Sequence, residues 1–163
     1  MVHEKRSSVE RKKNISLAID ASRNRSGGAI AHLKGILAHS NPREFGITHV
    51  HLWSYKKLLD DIPDKDWLTK HSHPSIEKSI FQQIYWQRYK FKSLFNSHGC
   101  DILLNPDAGT FSRIKPCVTM SRDMLSYEPG IGKLYGFSLA RIRIILLGYV
   151  QSRALARASG VIF

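Results

Sequence analysis

Short apolar runs, each closed by a polar residue and followed by a stretch of helical period, recur along this chain and leave it few folds to adopt. Ile15-Ser-Leu-Ala-Ile19 is the first such run, ending at Asp20, and the polar segment 22–26 then leads to Gly27-Gly28. Beyond the glycines, Ile30, Leu33, Ile36 and Leu37 recur at helical spacing until Asn41-Pro42 breaks the pattern. Ile47–Trp53 reads as a second strand, and Tyr55–Leu59 as a short helix ending before Pro63. A loop through Asp64–Pro74 leads to a long helical segment, Ser75–His98, in which Ile76, Ile80, Ile84, Phe91 and Phe95 mark one face and Gly99 stops the helix. Asp101–Asn105 and Pro116–Met120 are further strands, Leu125–Ile131 is a loop, Leu134–Ala158 is a long helix, and Gly160–Phe163 starts one more strand. Strands alternating with helices call for a mostly parallel sheet with helices on both faces, an α/β, Rossmann-like architecture.

The length of 163 residues suits one domain, with residues 1–13 as a disordered basic lead-in and 14–163 as the folded unit. Hydrophobic residues make up 42%, enough for a core without disulfides or a structural metal. The two cysteines, Cys100 and Cys117, sit at the edges of apolar runs and read as small core residues of a reducing compartment. No signal peptide opens the chain and no apolar stretch is long enough to span a bilayer, so a cytoplasmic protein is expected. The net charge of +12 favours anionic partners, whether nucleic acid, the anionic inner face of a membrane or phosphate-bearing ligands. From Pro129 onward Lys133, Arg141, Arg143, Arg153 and Arg157 occur without a single acid.

Ligands of open α/β sheets bind at the carboxyl ends of the strands, and three such ends here carry polar loops. Gly27 and Gly28 follow the first strand, where glycine lets a ligand approach backbone N–H groups and a helix N-terminus favours an anion. Ser22, Arg23 and Arg25 beside them are candidate phosphate contacts. Asn105-Pro106-Asp107-Ala108-Gly109-Thr110 follows the strand at 101–105, and Ser121-Arg122-Asp123-Met124-Leu125 follows the next. Asp123 is a candidate base or hydrogen-bond partner for an acceptor hydroxyl, and Arg122 a candidate anion contact. His49 and His51 share one side of a strand while His71 and His73 sit in a loop; with no carboxylate or cysteine to complete a zinc set, no metal is expected. Tyr85, Trp86 and Tyr89 among Arg88, Lys90 and Lys92 could form a basic-aromatic face for nucleic acid, but on a long helix such residues are more often a core edge and its solvated rim.

The stretch Val118-Thr-Met-Ser-Arg-Asp-Met-Leu-Ser-Tyr-Glu-Pro129 and the run Leu146–Phe163 resemble the acceptor-side domain of family 4 glycosyltransferases of the GT-B type. Asp20 with Gly27-Gly28 is similar to that family's first strand and glycine loop, and Pro106-Asp107-Ala108-Gly109 to its Pro-Gly-Gly turn. The chain departs from the pattern at Ser126, where proline is frequent, and at Asp107-Ala108, which replace a glycine pair. The resemblance spans about residues 14–163 and implies one half of a two-domain enzyme. In that family a second Rossmann-like domain binds the nucleotide sugar and carries a Glu-x7-Glu motif, which does not occur here. The apolar ending Gly160-Val-Ile-Phe163 agrees with an expected cut before that half.

The resemblance further implies metal-independent transfer of a sugar from a nucleotide-sugar donor to a glycan or lipid-linked acceptor, with no cofactor, in polysaccharide biosynthesis. Gly27 and Gly28 would face the donor phosphates, Arg122, Asp107 and Gly109 the acceptor, and Asp123 would be catalytic. This part alone would be inactive. The basic helix around Arg141–Arg157 suits peripheral docking on an anionic inner membrane face, although a core helix with a solvated basic face is the slightly favoured expectation. The competing expectation is a non-enzymatic basic α/β domain that binds nucleic acid or another polyanion; under the transferase reading no nucleic acid partner is expected.

Overall fold

Residues 14–122, 127–128 and 135–163 are described by the structure, a computed structural model. The lead-in 1–13, the candidate base Asp123, most of the 125–131 loop and Leu134 lie outside the described residues. Six strands form one sheet: β1 (Ile15–Asp20), β2 (Ile47–Trp53), β3 (Leu68–His71), β4 (Ile102–Asn105), β5 (Cys117–Met120) and β6 (Gly160–Ile162). Their spatial order is β3-β2-β1-β4-β5-β6, and every neighbouring pair is parallel. This is a Rossmann-like α/β fold, with helices flanking the sheet. The chain moves from β1 outward to β2 and β3, then returns to lay β4 against the other side of β1. The order therefore reverses between β1 and β4, and a crevice opens at their carboxyl ends.

Local chemistry explains each element. α1 (Gly27–His39) starts at Ser26, whose hydroxyl accepts from the Ala29 N–H. Its buried residues Ala29, Leu33 and Leu37 recur every four positions, and Leu33 and Leu37 join the sheet core. The helix ends where Ser40 turns extended and Pro42 can no longer donate to a helical ladder. α2 (Lys56–Asp60) follows β2 and buries Leu58 and Leu59. Gly99, at φ 64°, provides the left-handed turn that releases the chain from the helical region into β4.

Two expectations are corrected. The segment 64–74 is not a plain loop: it contains β3, an edge strand of four half-buried residues paired with Val50–Trp53. Nor is Ser75–His98 one helix. It divides into α3 (Pro74–Glu77), α4 (Ile80–Tyr85), a π-turn at Trp86–Lys90 and α5 (Phe91–Ser97). The break lies at Lys78, whose extended backbone stops α3. Ile80 is consequently 45% exposed, whereas Ile76, Phe91 and Phe95 are buried as expected. The π-turn opens with two consecutive buried side chains, Trp86 and Gln87.

One core cluster runs through the molecule. Ile19, Leu52, Trp53, Trp86, Phe91 and Leu103 are essentially inaccessible, with the Trp86 and Phe91 rings stacked at 4.7 Å and Trp53 edge-on to Phe91 at 5.1 Å. Cys117 belongs to this core and Cys100 packs against it; both are free thiols. α6 (Leu139–Arg157) differs from the other helices: only Gln151 and Ala154 are buried, while Leu139, Ile142, Ile145, Leu146 and Tyr149 are exposed. No helix among the described residues is long and apolar enough to cross a membrane.

Candidate functional site at the switch point

The loop after β1 is built around Asp20. Its Oδ1 accepts from the Ser22 N–H at 3.1 Å and the Ser22 hydroxyl at 2.6 Å, and its Oδ2 from Gln87 Nε2 at 2.7 Å. Burial pushes the Asp20 pKa up, opposed by these donors and by the Arg23 charge. Gln87 then reaches across to the other side of the crevice, where its Oε1 accepts from the Phe111 N–H. The π-turn thus supplies one side chain that ties the loop after β1 to the loop after β4.

Arg23 and Arg25 strengthen the same frame. Arg23 Nη1 donates to the Gly109 carbonyl at 2.5 Å and its guanidinium lies 5.5 Å from the Phe111 ring centroid. Burial lowers the Arg23 pKa, with Asp107 and Asp20 acting against that effect. Arg25 donates to the Ile76 carbonyl at 2.7 Å and stacks over Tyr55 at 4.1 Å. Ser22, Arg23 and Arg25, read from the sequence as phosphate contacts, are instead engaged within the protein. They hold the crevice walls and leave its floor to other groups.

Those groups meet in a cleft of about 390 Å³ lined by Ser26, Gly28, Ala29, His32, Asp107, Ala108, Arg122 and Gln151. Of the residues singled out from the sequence, Gly28, Asp107 and Arg122 are brought together here. Gly27 adjoins the cleft as the first residue of α1, exposed like Gly28. Both glycines lie inside the helix start and not in a turn before it, and an added Cβ at either would meet nothing within 4 Å. Glycine is therefore not demanded by packing. At this position in a helix the backbone N–H groups have no intrahelical acceptor and face outward.

On the opposite wall Asp107 holds two neighbours. Its Oδ1 accepts from the Gly109 N–H at 2.5 Å, and its Oδ2 lies 3.6 Å from Arg122 Nη2. Gly109 itself is not in the cleft; it lines a neighbouring cavity with Arg23 and Phe111. Its lack of a side chain is structural, since a Cβ there would stand 2.9 Å from Asp107 Oδ1. The cleft thus presents helix-start N–H groups on one wall and a carboxylate-oriented guanidinium on the other, an arrangement suited to an anionic or multiply hydroxylated ligand.

His32 and Gln151 were not found by sequence reasoning. His32 stands one helical turn after Gly28, so the period of α1 carried that signal. Gln151 comes from α6, distant in sequence, and only the fold brings it here. The histidines also regroup: β3 places His71 beside His51, with Nδ1 of His51 2.9 Å from Nε2 of His71, and His49 and His98 pack on the pair. Among the described residues no group of three or more His, Cys, Asp or Glu has the geometry to hold a metal ion. His73 caps α3 by accepting from the Ser75 N–H. No protein-family model, curated protein or solved structure matches this chain.

Proposed function

We propose that the chain is the acceptor-side domain of a GT-B-type glycosyltransferase, working with a nucleotide-sugar donor and a glycan or lipid-linked acceptor. The observation that carries this reading is the switch-point cleft, where Gly28, Asp107 and Arg122 line one space between β1 and β4. In this scheme the Gly27 and Gly28 N–H groups stabilise the diphosphate charge of the leaving group, and Arg122, fixed by Asp107, orients the acceptor. Asp123, next in sequence to Arg122, takes the proton of the attacking hydroxyl. The site is cytoplasmic, and the exposed apolar row of α6 with Arg141 and Arg143 docks at an anionic membrane surface.

The non-enzymatic nucleic-acid module has less support. Trp86, which would anchor its aromatic face, is 0% exposed, so only Tyr85 and Tyr89 remain at that surface. Coding DNA beyond residue 163 tests the transferase reading. It is expected to continue in frame into a second Rossmann-like unit with a Glu-x7-Glu motif. The two-domain protein then transfers sugar from a nucleotide donor, residues 1–163 alone do not, and Asp123→Asn lowers kcat by about a hundredfold or more. Transfer that is indifferent to Asp123→Asn, or a coding sequence without a donor domain, contradicts it.

A further inference from the structure

We propose that a second binding site lies on the flank of the sheet between the β4–β5 connection and the C-terminal half of α6. Its ligand is the phosphate monoester of a small hydroxylated molecule, a sugar or polyol phosphate. The site stands apart from the transfer reading, because it shares no lining residue with the switch-point cleft.

The fold creates the opening. Parallel neighbours are usually joined by a crossover helix that covers the sheet. Here residues 106–116 join β4 to β5 without a helix. Between this connection and α6 lies a cleft of about 350 Å³, within the size range of small-molecule sites. Arg113, Lys115 and Arg157 line it, no carboxylate does, and none of the three pairs with an acid among the described residues. An adjoining cavity of about 240 Å³ shares Arg113 and Arg157 and adds Arg88 and Arg153. Three cations therefore line one cleft with two more lining the cavity beside it, and guanidinium groups match a phosphate in geometry as well as charge.

The second half of the ligand is read from Asn105. This residue lines the cleft at 3% exposure, and its Nδ2 donates to Thr119 Oγ1 at 3.2 Å. Its carbonyl oxygen has no partner. A buried amide oxygen without a donor is an unstable arrangement that a ligand hydroxyl corrects. Cations at the mouth and an orphaned acceptor inside select a molecule with a phosphate at one end and hydroxyls at the other. Duplex nucleic acid is too wide to reach Asn105.

Calorimetric and NMR titrations of the full chain with glucose 6-phosphate, inorganic phosphate and glucose test this. Glucose 6-phosphate is expected to bind about tenfold or more tightly than inorganic phosphate, and glucose not measurably. Arg113→Gln and Arg157→Gln, neither of which breaks an ion pair among the described residues, are each expected to weaken it by about tenfold. Asn105→Val removes the preference over inorganic phosphate; should that variant not fold, Arg157→Lys, which keeps the charge but loses the fork, provides the second reading. The double variant Lys90→Gln/Lys92→Gln removes charge elsewhere and leaves affinity unchanged. Phosphatidylcholine vesicles carrying phosphatidic acid form a separate arm. Binding confined to these vesicles overturns the proposal, because phosphatidic acid offers a phosphate monoester but no hydroxyl to Asn105. So do no binding in either arm, equal affinity for inorganic phosphate and glucose 6-phosphate, or equal losses from the Lys90/Lys92 and Arg113 variants.

Discussion

Gly28 separates stability from binding more sharply than any other residue of the cleft. It occupies a helical position with open space where a Cβ would go. Gly28→Ala is expected to stabilise the protein by about 0.5–1 kcal/mol, through lower entropy of the unfolded chain, in urea denaturation. Under the proposed function the same methyl group projects into the path of an anion to the α1 N–H groups, so affinity for an anionic ligand is expected to fall as stability rises. Asp20 behaves in the opposite way. Asp20→Ala strands the Ser22 N–H and the Gln87 amide in a buried place, and a loss of about 2–4 kcal/mol is expected from the shift in urea midpoint. Asp20 was legible only as the end of the first strand. Its bond with Gln87 joins positions far apart in sequence, and no local pattern announces it.

The β2–β3 pair gives the molecule a pH dependence at the level of elements. Burial, then the neighbouring imidazoles, lower His51 and His71 from the usual 6.5 to about 4. The groups facing them are His49 on β2 and His98 after α5, with Trp53 stacked on His71. In the unfolded chain these imidazoles take up protons near 6.5, whereas the folded chain resists until about 4. Stability is therefore fully present above 6.5 and is lost as pH falls from there toward 4. After allowance for partial solvent exposure the pair contributes about 1–2 kcal/mol over that window. Denaturation midpoints measured across it are expected to fall for the native chain and to fall less for His71→Gln.

This arrangement was hidden in the sequence because Leu68-Thr-Lys-His71 alternates weakly and carries a lysine, as edge strands do. β1, β2, β4, β5 and β6 were legible because their apolar runs are bounded by Asp, Gly or Pro. The division of 75–98 was not, since the apolar spacing continues across Lys78 and only the backbone reveals the break. α6 contributes the other prediction at this scale. Its apolar row is exposed, with Ile142 at 55% and Ile145 at 58%, so Ile142→Glu and Ile145→Glu leave the melting temperature unchanged. Each is expected to weaken sedimentation with anionic vesicles by about tenfold, and unaltered binding would remove α6 from the membrane contact.

For the whole molecule, strand order decides where a crevice opens. Six parallel strands in the order β3-β2-β1-β4-β5-β6 leave one reversal, and the braces from Arg23 and Gln87 hold its two walls together. The three strand-end loops were legible from their composition. Which of their residues share a cleft and which hold the frame was not, because Arg23 and Gly109 look like site residues in sequence and prove to bond to each other.

The most direct test is a backbone-amide NMR titration of the chain with a nucleoside diphosphate. The expected result is that Gly27, Gly28, Asp107 and Arg122 shift together along a single binding curve, and that Gly28→Ala weakens it. Shifts confined to other faces of the protein, or none at millimolar ligand, would contradict a phosphate-handling cleft between β1 and β4.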